Sequence, residues 1–108
     1  MISLGLAFGG CAVAVGNTEA LLSQAGFRKI PADTPQRAEQ LRTLAAHQVI
    51  RRTTDGTSDY VYADPKYCKC MYVGSESAYA EYKSLVQAQE AVRAYREALR
   101  EADYPGRR

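Results

Sequence analysis

Residues 47–74, HQVIRRTTDGTSDYVYADPKYCKCMYVG, hold most of the chain's β-forming residues and decide its architecture. Asp55-Gly56 separates two β-rich runs. A two-residue type I′ turn needs positive φ at both central positions, and Asp-Gly meets that need well. With those two residues as the loop, Thr54 faces Thr57, Arg52 faces Asp59, Arg51 faces Tyr60, Ile50 faces Val61 and Val49 faces Tyr62. Opposite charges then meet at Arg52 and Asp59, and apolar residues meet further back, each pair contributing roughly 0.2–1 kcal/mol. Val49, Arg51, Tyr60 and Tyr62 share one face, and Ile50, Arg52, Asp59 and Val61 share the other. Neither face is purely apolar, so the pattern alone does not choose the core side. The face with Arg51, Tyr60 and Tyr62 is a candidate partner surface. Its commoner use is partial burial, with the polar tips reaching water.

Asp64-Pro65 reads as a turn that ends the second strand. A third strand is expected over residues 67–73, with Cys68, Cys70 and Tyr72 on one side. Residues two apart in an extended strand are ~6.6 Å apart at Cα, near the upper limit for a disulfide. A Cys68–Cys70 bond therefore requires a kink. Three uses of the pair compete. Two packed thiols acting as small hydrophobes come first, a local disulfide second, and a metal site completed by His47 third. That last set offers three ligands, whereas structural zinc normally takes four.

The flanks supply helices. Asn17 or Thr18 can cap a short helix through Ala25, with Glu19 in its first turn and Gly26 just past its end. Phe27-Arg28-Lys29-Ile30 is a short extended piece, followed by a turn at Pro31-Ala32-Asp33. Thr34-Pro35 starts a second helix that presents Ala38, Leu41 and Leu44. Ser75 or Ser77 can cap a long helix to about Asp103, with Ala78, Leu85, Val92 and Leu99 at seven-residue spacing. Its first half is expected on the sheet. Its second half, with pairs such as Arg93 and Glu97, is expected in solvent, where it is a candidate handle for a protein partner. The expected class is thus α+β: a small antiparallel sheet of about three strands (hairpin 47–63 plus strand 67–73) with two short helices and a long C-terminal helix.

No charge precedes Glu19, and residues 2–16, ISLGLAFGGCAVAVG, are apolar or small. The run is shorter than the ~18–20 residues of a membrane-spanning helix and suits the apolar region of a signal peptide. Glycines at 5, 9, 10 and 16 make it a poor core helix. Gly9-Gly10-Cys11 resembles the lipobox of bacterial lipoproteins, and the Tyr60–Val73 stretch is similar to uncharacterised small bacterial lipoproteins over roughly residues 21–82. Phe8 stands where such motifs usually carry Leu, and Met1-Ile2-Ser3 lacks a basic residue. The resemblance implies lipid attachment at Cys11, anchoring in the bacterial envelope, and sorting to the outer membrane facing the periplasm because Ala12, not Asp, follows the cysteine. Without a signal the location is cytoplasmic.

The implied organisation is a signal-like segment (1–10), a tether (11–17), one α+β domain (18–104) and a tail (105–108). A formal net charge of +2 among 108 residues gives no electrostatic footprint for nucleic acid. Base stacking on Arg51, Arg52, Tyr60 and Tyr62 therefore ranks low. The single His47, the lack of a phosphate loop and the lack of a distinctive carboxylate pair argue against an enzyme, and no cofactor is implied. The expected function is a lipid-anchored envelope protein that binds or scaffolds, the alternative being a metal or thiol-redox module on Cys68, Cys70 and His47.

Overall fold

The computed structural model describes residues 2–102, with side chains described from Ala12 onward. The elements are α1 (Ile2–Ala25), β1 (Arg28–Pro31), α2 (Pro35–Thr43), β2 (Val49–Thr54), β3 (Thr57–Asp64), β4 (Cys70–Gly74) and α3 (Glu76–Ala102). The fold is α+β. Its antiparallel sheet has four strands in the order β1-β4-β3-β2. The extra strand is the 28–31 piece, which pairs along β4 from Arg28 opposite Val73 to Pro31 opposite Cys70.

The hairpin adopts the register derived from Asp55-Gly56, from Thr54 opposite Thr57 to Val49 opposite Tyr62. Asp55 (φ 53°) and Gly56 (φ 78°) both take the left-handed conformation that the tight loop demands. Arg52 grips Asp59 through two bonds, Nε to Oδ1 at 3.0 Å and Nη2 to Oδ2 at 2.9 Å.

The helix ends follow their local chemistry. Gly26 (φ 111°) closes α1 in a Schellman arrangement, with Phe27 N–H donating to Leu22 O and Gly26 N–H to Ser23 O. Thr34 Oγ1 accepts from Arg37 N–H at the start of α2. Ser75 Oγ accepts from Ala78 N–H at the start of α3.

The other end of α1 differs from expectation. A short helix beginning at Asn17 or Thr18 is replaced by a continuous helix from Ile2, so residues 11–17 form helix where a tether was expected. No proline interrupts the run, and neither candidate cap residue caps. Asn17 exchanges two amide hydrogen bonds with Gln89 of α3, both 3.2 Å long. Thr18 Oγ1 donates back to Ala14 O. The side chain of Cys11 and the tail at 105–108 lie outside the described residues. Among the described residues no helix is long and apolar enough to cross a membrane.

Both sheet faces are covered. On one, α1 and α3 bury Leu22, Ala25, Phe27, Tyr60, Tyr62, Cys70, Tyr72 and Ala78. On the other, Leu41 of α2 closes over Val61, Ala63 and Met71. Burying Leu22 and Val61 completely stabilises by about 1.5–3 kcal/mol each. Gly74 marks the tightest approach, since a Cβ there would lie 2.7 Å from three atoms of the Phe27 ring. From Glu90 to Ala102, α3 is exposed, and Glu97 pairs there with Arg100 at 3.9 Å rather than with Arg93.

Candidate functional site

The helix-covered face settles the use of the tyrosines. Tyr60 and Tyr62 are buried, the commoner of the two uses weighed for this face, and so do not form the candidate partner surface with Arg51. Tyr60 stacks on Tyr79 of α3 with ring centroids 4.0 Å apart, and its hydroxyl donates to Glu76 Oε1. Tyr62 packs edge-on to Tyr72. Arg51 alone stays exposed, 3.8 Å from Glu76 Oε2.

The chemistry gathers at the end of β3 instead. Asp64 is completely buried. Pro65 stops the strand there, and the carboxylate holds the turn that follows. Its Oδ1 accepts from Lys66 N–H at 3.1 Å and Tyr67 N–H at 2.9 Å, and its Oδ2 accepts from Cys68 N–H at 3.3 Å. His47 Nε2 lies 3.1 Å from Oδ1, and an ionised carboxylate only accepts, so His47 is the donor. His47 reaches that point from a left-handed backbone (φ 60°), fixed by its own N–H donating to Ala63 O at 2.8 Å. Its ring stands 6.1 Å from those of Tyr62 and Tyr67.

The turn removes residues 67–69 from the expected third strand, and β4 begins only at Cys70. Lys69 takes φ 50°, bringing the Cα atoms of Cys68 and Cys70 to 5.2 Å, and the two form a disulfide. This corrects the order of expectation, in which packed free thiols stood first. The required kink exists because Asp64 curls the preceding backbone. Cys70 is fully buried, whereas Cys68 is partly open to solvent.

Glu19 completes the site from α1. It is mid-helix and faces the sheet, not in a first turn as the sequence pattern suggested. Tyr72 Oη–H donates to Oε1 at 3.5 Å, and Oε2 is buried without a hydrogen-bond partner. One oxygen of Glu19, one oxygen of Asp64 and Cys68 Sγ all lie within 4.8 Å of one another. Burial first, then the neighbouring Asp64 carboxylate, push the Glu19 carboxyl up to about 7, against the lowering effect of Lys29 and Tyr72. Burial also pushes Asp64 upward. The Glu19 carboxyl, the Tyr67 and Cys68 N–H groups and His47 together outweigh it, holding Asp64 well below the usual carboxylate range. The pair therefore separates into a proton-holding Glu19 and an ionised Asp64.

The structure thus brings His47, Cys68 and Cys70 around one carboxylate and leaves Arg51 elsewhere. Sequence reading missed Glu19 and Asp64 as site residues. A carboxylate at 19 lies three residues before the buried Leu22, on the apolar stripe of its own helix, and that misplacement was the available signal. As metal donors the set is committed elsewhere: Cys68 Sγ is bonded to Cys70, and both Asp64 oxygens accept hydrogen bonds. Comparison of the chain with protein-family models, with curated proteins and with solved structures finds no match.

Proposed function

We propose that the domain is a thiol–disulfide exchange module of the bacterial envelope, working through Cys68 and Cys70. The observation that carries this reading is a disulfide with one partly exposed cysteine, Cys68, set beside a buried carboxylate pair. A structural staple is the competing use, and magnitudes weigh against it. Closing a loop of about three residues removes little chain entropy, worth roughly 1.5–2 kcal/mol. Holding Lys69 left-handed costs about 1–2 kcal/mol, which cancels most of that gain. A bond that stabilises so little, with one of its cysteines partly open to solvent, suits exchange. An incoming thiolate meets Cys68, and the shielded Cys70 leaves.

This reading predicts an equilibrium potential above about −300 mV, the region below which structural disulfides lie. Titration in glutathione redox buffers, read by alkylation and mass, measures it. Brief reduction followed by limiting alkylator should label Cys68 before Cys70. A pair still oxidised well below that potential would overturn the proposal.

For location, the lipobox-like Gly9-Gly10-Cys11 supports attachment of lipid at Cys11, and an oxidising compartment suits the disulfide. Expression in a bacterial host should give a membrane-bound protein with acyl mass on a peptide beginning at Cys11, and Cys11→Ala should release it. A wild-type protein that keeps residues 1–10 and fractionates as soluble would refute the anchor.

A further inference from the structure

We propose that Glu19 is the proton donor and acceptor for Cys68 during exchange, an inference that rests on the exchange reading above. Three features place it there. Its carboxyl is within 4.8 Å of Cys68 Sγ. Its Oε2 is buried and makes no hydrogen bond of ordinary geometry, beside an Asp64 carboxylate that favours a proton on it. It is carried on a helix packed across the sheet and not on the turn that holds the cysteines, so its position persists when the disulfide opens. One bridging water, or a small rotation of the freed thiol, closes the remaining distance.

The step balances with a dithiol as co-reactant. One substrate thiolate attacks Cys68 Sγ. The Cys68–Cys70 bond breaks, a mixed disulfide forms at Cys68, and Cys70 leaves as a thiolate that takes a proton released by the substrate. The second substrate thiolate then attacks the substrate sulfur of the mixed disulfide. Cys68 leaves with the bonding pair, the Glu19 carboxyl gives it a proton, and the resulting carboxylate takes up the proton that the second substrate thiol released. Two electrons pass from the dithiol to the cysteine pair, and the substrate becomes a disulfide. In reverse, the Glu19 carboxylate takes the Cys68 proton and frees the thiolate to attack a substrate disulfide.

The groups that set the charge around Glu19 come from three strands. Asp64 and Tyr62 lie on β3, Tyr72 on β4 and Lys29 on β1, while His47 bonds to Asp64. From α3, Tyr82 acts on Tyr62. With its proton favoured by burial and then by Asp64, Glu19 exchanges that proton in the neutral range where thiols work.

The experiment is the rate of dithiothreitol oxidation by the full chain against pH, for wild type, Glu19→Gln and Glu19→Asp. Wild type should show an inflection near pH 7. Glu19→Gln should lose it and oxidise dithiothreitol about 10²-fold more slowly at pH 7. Glu19→Asp should recover part of the rate. Mixed-disulfide formation by Cys70→Ser with glutathione disulfide reports Cys68 chemistry separately. If Glu19→Gln matches wild type in rate and profile while both exchange, the role of Glu19 is overturned and exchange stands. If wild type does not exchange at all, both proposals fall.

Discussion

Asp64→Ala should lower the unfolding free energy by about 3–5 kcal/mol, the cost of breaking a buried charged group from its partners. The chain of consequences is local. The carboxylate is the acceptor for Lys66, Tyr67 and Cys68 N–H and for His47 Nε2. Removing it leaves three amides of one turn without a partner, each costing about 1–3 kcal/mol where water cannot replace the carboxylate. Lys66 and Tyr67 are exposed and can recover part of that from solvent, which keeps the total below the simple sum. For a domain of ordinary stability, about 5–15 kcal/mol, the loss is a large fraction. Asp64→Asn keeps one acceptor oxygen and should lose less. Urea denaturation gives the energies, and amide exchange should show protection lost at residues 66–68. A change under about 1 kcal/mol for Asp64→Ala would contradict a turn organised by this side chain.

Between pH 5 and 8 the wild-type domain should lose about 1–2 kcal/mol, and Glu19→Gln should lose almost none of it. In the unfolded chain Glu19 gives up its proton near 4.5, and in the fold it keeps it to about 7. The folded state therefore binds more protons across that window. Stability is fully present below the unfolded value and falls as pH rises through the folded one. The figure follows from ~1.4 kcal/mol per unit, discounted for the partial exposure of the side chain. Asp64 moves oppositely, its contribution being lost only as pH falls below the usual carboxylate range. A glutamine amide is neutral at every pH and still presents a donor towards Asp64. The variant should thus be the more stable protein at pH 8, which also keeps it usable in exchange assays. Denaturation midpoints at the two pH values decide the matter, and equal slopes for both proteins would count against a proton held at Glu19.

Where local chemistry determined geometry, the sequence was enough. Asp55-Gly56 fixed a turn, and the turn fixed every cross-strand pair of the hairpin. Gly26, Thr34-Pro35 and Ser75 marked helix boundaries through their own backbone and side-chain preferences. What failed depended on distant partners. Phe27-Arg28-Lys29-Ile30 read as an extended piece but not as a sheet strand, because nothing local shows that β4 offers a free edge. The core side of the hairpin, where Tyr60 and Tyr62 lie, stayed open because covering it takes two helices whose docking side is not written in the hairpin. Asn17 and Thr18 read as caps, although Asn17 finds its partner 72 residues away on Gln89. The same limit hid the site. Asp64 was legible as a turn residue, but the depth that makes its charge consequential comes from packing, and Glu19 joins it from 45 positions upstream only when α1 lies across the sheet.

The strand order has a further consequence, for association between molecules. It leaves β1 and β2 as the sheet's open borders, where unpaired backbone groups can recruit a strand from another chain. Each border carries its own deterrent. The β1 border is four residues long, includes Lys29 and ends at Pro31, which has no N–H to offer. The β2 border is longer, but Arg51 and Arg52 project from opposite faces of it, so a copy laid alongside in matched register would set arginine against arginine. The Arg52–Asp59 pair thus has a second use besides tying the hairpin. It keeps a guanidinium fixed at the border, where it opposes pairing with the edge of another copy.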